Sequence, residues 1–235
     1  MKTKKPYMWV PSLYLGESLP FAAVMLMSVV LYQEMGLSDT QIALYTSWLG
    51  LPWVIKPLWS PFIDTFRTKR WWILSMQLLV GAALAAVALS LPTPMWLQAT
   101  LALFMLVAFA SSTHDISADG FYILGLSNVD QEFYVGVRNT FYRVGLVLGQ
   151  GGLVALAGLL QHSGMHVSVA WSVTFLAVAA LMVLLYMWHV RALPVVEQPA
   201  PSVSRKDILS DFLQTFYVFF RKPHIITALA FILLF

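Results

Sequence analysis

A handful of charged and aromatic side chains stand in the middle of apolar runs, and their types and spacing set the possible chemistry. Glu17 lies ten residues beyond Tyr7, roughly 15 Å along a helix that starts there. A carboxyl at that depth has no water to stabilise its charge, so it needs a partner or a task. Reversible protonation or a solute contact is such a task, because burial disfavours the ionised form. A neutral glutamic acid hydrogen-bonded between helices is the other reading. Asp115 and Asp119 are four residues apart and share one face of a helix, with His114 on the flank. Lys56, Asp64, Arg138 and Arg143 fall toward the same end of their helices as these aspartates. Together the six charges read as a gate network whose pairs form in one conformation and part in the other. For Asp64 with Lys69 and Arg70, a solvated loop is an equally good account. His114 and two carboxylates are metal-ligand types. However, His114 and Asp119 are five residues apart and share a face poorly, so no metal site is expected. Trp48 and Trp53 sit too deep for interfacial anchors. They either line a pathway, where an indole could stack on a sugar ring, or pack helix on helix.

The elements that must position these residues are membrane helices. Of the 235 residues, 59% are apolar and 11% charged, against about 25% charged in an ordinary soluble domain. So few charges cannot cover a water-facing surface. A net charge of +3 on such a chain does not make a nucleic-acid binder. No cysteine is present, which excludes disulfide scaffolds, Cys-ligated metal and thiol catalysis. Six runs reach the roughly 20 residues needed to cross a hydrocarbon core of about 30 Å. They cover residues 7–32, 40–63, 71–91, 95–118, 134–160 and 167–190. The first is too long for a signal peptide and lacks a cleavage pattern. Ser38 and Gln41 form a capping box that opens the second, and Pro92 and Pro94 mark the turn after the third. Gly145, Gly149, Gly151 and Ala155 put small residues along the fifth, suited to close helix crossing. Of the 14 Lys and Arg residues, 13 fall on one side of these spans, and the opposite loops contain none. The positive-inside rule makes that side cytoplasmic and places the N-terminus inside.

Residues 1–190 therefore read as a six-helix bundle and 191–223 as a cytoplasmic linker. Within the linker, apolar residues recur at helical spacing over 204–221, which suggests an amphipathic helix lying on the membrane surface. Residues 224–235 start a seventh apolar run. At roughly 18 Å it is too short to span, so the chain reads as the first half of a longer protein with the start of a seventh helix.

Four motifs carry a resemblance to a known family. Residues 50–64, GLPWVIKPLWSPFID, look like the GLPxxxKxxWxPxxD signature of the AmpG-type muropeptide permeases, within the major facilitator superfamily. Residues 68–72, TKRWW, are similar to the basic turn that follows it there. Residues 108–119, AFASSTHDISAD, resemble that family's fourth-helix run AFxSATQDIAxD, with His114 in place of Gln. Residues 138–145, RNTFYRVG, match its YRxG entry to helix five. The superfamily's general GxxxDRxGRR loop is kept at Asp64 and the basic turn, while Ser60 replaces the leading Gly.

The resemblance implies an all-α integral membrane protein: the six-helix N-terminal half of a major facilitator fold, with a second half completing the pathway. It implies a secondary active permease of solute:proton symporter type in the inner membrane, importing a small solute such as a muropeptide or another sugar-containing compound. Its partners would be the solute, protons, the lipid bilayer and the missing half, with no cofactor and no nucleic acid. Two other classes compete. An intramembrane protease needs a serine nucleophile with a histidine partner. Ser18 after Gly16 and Glu17 is the nearest approach, with His162 and His166 far off in an outer loop. A membrane protein that does not transport gives no reason for Glu17, Asp115 and Asp119 to be acidic.

Overall fold

The computed structural model describes residues 5–196 and six further positions: Gln214, Tyr217, Val218, Arg221, Lys222 and Ile225. Apart from those six, the expected amphipathic helix at 204–221 and the seventh run at 224–235 lie outside the described residues.

Every element among the described residues is helical. Five helices are long and apolar enough to cross a membrane. They are α1 (Pro6–Glu34), α3 (Lys69–Ser90), α4 (Trp96–Gly125), α5 (Asn128–His162) and α6 (Val167–Ala192). The boundary expected at residue 190 falls two residues before the end of α6. Between α1 and α3, residues 39–65 form α2, and here the structure corrects the sequence reading of one continuous span. α2 is a chain of short helical pieces: Asp39–Thr46, Ser47–Gly50, Leu51–Ile55, Lys56–Leu58 and Ser60–Thr65. Pro52, Pro57 and Pro61 each sit in the first turn of one piece. Proline has no N–H to give to the preceding turn, so each one ends the segment before it.

The helix ends follow local chemistry. The capping box at Ser38 is formed, with Gln41 Oε1 accepting from the Ser38 N–H at 3.0 Å. Thr68 caps α3 and Ser127 caps α5, each accepting a backbone N–H at 3.1–3.2 Å. Gly36 and Gly164 have positive φ in the turns after α1 and α5, where a side chain would be strained.

α1 is the most buried of these helices and α5 the least. α1 contacts α4, α5 and α6, while α3 packs on α4 and α6. A large apolar core spans α1, α3, α4 and α6, with Tyr32, Phe104, Trp171 and Phe175 fully buried. A smaller one gathers around Trp9, Phe121 and Leu193 at the other end. Gly145 and Gly149 let α5 cross α1 closely, because a Cβ at either would collide with Ser18 or Ala22. Gly151 has open space around it, so the small-residue reading does not extend that far. Each of α1 and α5 carries one wide π turn, Ala23–Met27 and Leu148–Leu153, and the two turns touch.

Candidate functional site

A cavity of about 380 Å³ opens between α1, α2, α4 and α5. α1 lines it with Tyr14, Glu17 and Phe21, which helical spacing places on one face. α2 adds Trp53 and Lys56, and α4 adds Asp115 and Asp119 one turn apart. Arg138, Asn139 and Tyr142 come from α5.

Its charges include two ion pairs and one further carboxyl, Glu17, which has a side-chain hydrogen bond with Asp115. Lys56 Nζ donates to Asp115, tying α2 to α4. Arg138 donates to Asp119 Oδ1 at 3.2 Å, tying α5 to α4. The same Asp119 oxygen accepts from the Tyr14 hydroxyl at 3.0 Å, bringing in α1. The Arg138 guanidinium also lies over two rings, 4.7 Å from the centre of Tyr14 and 5.2 Å from that of Tyr122. Its weak hydration suits contact with both rings, which meet each other edge to face at 5.8 Å. Glu17 is 7% exposed, and its Oε2 has no hydrogen-bond partner among the described residues. The charges acting on it are those of Asp115, Asp119 and Arg138. Phe21 and Trp53 meet edge to face at 5.1 Å and form an aromatic wall beside it.

The expected site residues divide into three groups. Glu17, Lys56, Asp115, Asp119, Arg138 and Trp53 come together at the cavity. Asp64 lies elsewhere, in an ion pair with Lys69 across the turn between α2 and α3. The Lys69 stem runs over Gly120 of α4, where a Cβ would come within 2.8 Å of it. Arg143, Trp48 and His114 are not among the residues that line this cavity. Arg143 follows Arg138 by five residues, about 140° around the helix, and is exposed with no ion pair among the described residues. Trp48 belongs to a different piece of α2 from Trp53 and is 62% exposed. His114 is turned about 100° from Asp115 and points into the bundle, where its Nε2 accepts from Gln77 Nε2 at 3.1 Å. Among the described residues, no three His, Asp or Glu side chains are grouped to hold a metal ion.

Sequence reasoning missed Tyr14, Phe21, Asn139 and Tyr142. The signal was available, since Tyr14 and Phe21 are one turn either side of Glu17 and Tyr142 one turn from Arg138. It also missed Ser12, Gln77 and His189, which join His114 in a second, neutral polar cluster. Gln77 and His189 are polar residues inside apolar runs, which was itself the clue.

Comparison with known proteins gives the family. The model of the BT1 family matches residues 18–233. The chain belongs to the BT1 family. It is therefore a multi-pass membrane protein, as the apolar helices require. The BT1 match takes in every cavity residue except Tyr14 and Glu17. Over 212 residues the chain is 26% identical to the putative transporter AmpG 4 of Rickettsia conorii, covering 84% of this chain and 49% of that one. It is 30% identical to the anhydromuropeptide permease of Escherichia coli over 118 residues, 48% of this chain and 24% of that one. An uncharacterized protein of Schizosaccharomyces pombe is 27% identical over 158 residues, 63% of this chain and 29% of that one. The chain spans about half the length of the first of these relatives and less of the others.

Proposed function

We propose that this chain forms half of the pathway of a solute:proton symporter, a permease that imports a small sugar-containing solute such as an anhydromuropeptide across the inner membrane. The observation that carries the reading is Glu17, a carboxyl inside a membrane helix that faces a cavity and has an oxygen without a partner. The N-terminus is inside on this reading, supported by the one-sided placement of Lys and Arg.

The two ion pairs give Glu17 a mechanism. While Glu17 carries a proton, Lys56 and Arg138 stay on Asp115 and Asp119, and α4 holds α2 and α5. Once the proton leaves, the Glu17 carboxylate competes for Arg138 and loosens the tie between α4 and α5. Proton binding and gate position are thereby coupled through a shared cation. The Phe21–Trp53 wall supports the choice of a ring-bearing solute, which can lie against it.

The test is uptake of radiolabelled anhydromuropeptide by vesicles carrying the whole protein. Glu17→Gln should abolish accumulation driven by a pH gradient and leave solute exchange without a gradient, since Gln keeps the shape and hydrogen-bonding capacity. Accumulation that persists in Glu17→Gln would make Glu17 a structural residue.

A further inference from the structure

Behind α1, on the side away from the cavity, four helices meet at a chain of neutral polar side chains. Ser12 Oγ of α1 is 2.9 Å from His189 Nε2 of α6. His189 Nδ1 lies 2.8 Å from Nε2 and 3.1 Å from Oε1 of Gln77, on α3. Gln77 Nε2 in turn donates to His114 of α4 at 3.1 Å. Gln77 and His189 are fully buried, and His114 is 2% exposed. An amide neither gains nor loses a proton near neutral pH, so the chain is no proton wire. It is suited to holding helices in register, because buried hydrogen bonds in a dry site are costly to leave unmade.

α1 rests directly on this chain. A Cβ at Gly16 would lie 3.5 Å from Gln77 Nε2 and 4.0 Å from His189 Cε1, in van der Waals contact, and 3.3 Å from Leu185 Cδ1, so this face of α1 packs closely against the chain. Ser12 and Gly16 are four residues apart and share one face of α1. Glu17 is the next residue, about 100° further round. A rotation of α1 that broke the Ser12–His189 contact would swing Glu17 out of the cavity.

We infer that the Ser12–His189–Gln77–His114 chain is a rotational stop for α1, with Gln77 the positioning residue that keeps Glu17 directed into the cavity. The consequence for proton coupling rests on the transport reading, whereas the stop rests on geometry alone.

These 235 residues contain no cysteine, so in a whole protein with any cysteine beyond them replaced by serine, Glu17→Cys creates the sole thiol and reports which way position 17 faces. In the complete chain in native membranes, its rate of reaction with a water-soluble cationic methanethiosulfonate is the readout. Adding Gln77→Met should slow labelling about tenfold, the population shift expected when a buried hydrogen-bonded bridge is lost. Adding His114→Phe should slow it similarly. His114→Gln restores an acceptor where the ring Nε2 stood and should keep the original rate. An unchanged rate in Gln77→Met overturns the stop, as does equal slowing in His114→Gln and His114→Phe, which would mean bulk packing. If Gln77→Met fails to accumulate in membranes, the two His114 variants decide alone. Labelling that follows this pattern in a protein whose unmodified form takes up no anhydromuropeptide supports the stop and sinks the transport reading.

Discussion

The two faces of α1 are built from different materials. Toward α2, α4 and α5 it turns Glu17, with one oxygen unpartnered among the described residues, to ion pairs and an open cavity. Toward α3 and α6 it meets neutral hydrogen bonds and close-packed apolar side chains. Charges inside a membrane can change partner when a proton or solute arrives, and each partner is costly to lose. Neutral polar groups in a dry core have one good arrangement and resist change. On the transport reading proposed above, the contrast assigns motion to one side of the helix and register to the other. Both aspartates that clamp the mobile side belong to α4, whose opposite face carries His114 into the static cluster.

The sharpest way to break this comparison is to remove a cation from the mobile side. Lys56→Met would leave Asp115, 14% exposed, as a carboxylate without its partner. Stripping one member from a buried pair costs about 3–5 kcal/mol. Because the Lys56 side chain is 34% exposed, the expected loss is smaller, about 2–3 kcal/mol. Melting followed by tryptophan fluorescence in detergent would measure it. Adding Asp115→Asn should recover at least half the loss, since it removes the stranded charge. If the two effects simply add, the pair is not coupled and the cavity side is as passive as the other.

A second comparison lies along α5, where it crosses α1. Gly149→Ala puts a methyl group into Ala22, so the helices must move apart. Overpacking of this kind costs about 1–3 kcal/mol. Gly151→Ala meets nothing within 4 Å, and its expected effect is between zero and a gain of about 1 kcal/mol from helix propensity. The same melting experiment would separate them. Equal effects would show that the crossing is looser than the geometry requires.

Much of this architecture was legible in the sequence, and the failures have physical causes. Length and hydropathy identified α1, α3, α4, α5 and α6, because a membrane span needs a long apolar run and little else. α2 was read as continuous since Pro52, Pro57 and Pro61 do not lower apolarity, although each interrupts the hydrogen-bond ladder. At the cavity, Glu17, Lys56, Asp115, Asp119 and Arg138 could be found because charge in an apolar run is conspicuous. Their pairing was not legible: Lys56–Asp115 is set by how α2 packs on α4, a contact that spans 59 residues. The partners of His114 were hidden for a similar reason. It stands beside Asp115 in the sequence, whereas one residue of helix turns the ring toward α3 and α6.

The smallest expected effect distinguishes two arginines that look alike in the sequence. Arg138 lies against both the Tyr14 and Tyr122 rings while it donates to Asp119. Arg138→Lys keeps the charge but replaces a flat, weakly hydrated fork with a compact ammonium that stacks poorly. The ion pair can re-form, so only the ring contacts and part of the geometry are lost, about 1 kcal/mol. Arg143 is exposed, outside the cavity and without an ion pair among the described residues. Arg143→Lys should therefore stay within about 0.5 kcal/mol of the unmodified chain, as ordinary surface substitutions do. Melting curves recorded side by side would resolve the difference. If Arg143→Lys is the more damaging of the two, the gate charges extend beyond the cavity, and the mobile side of the bundle is wider than the face of α1 defines it.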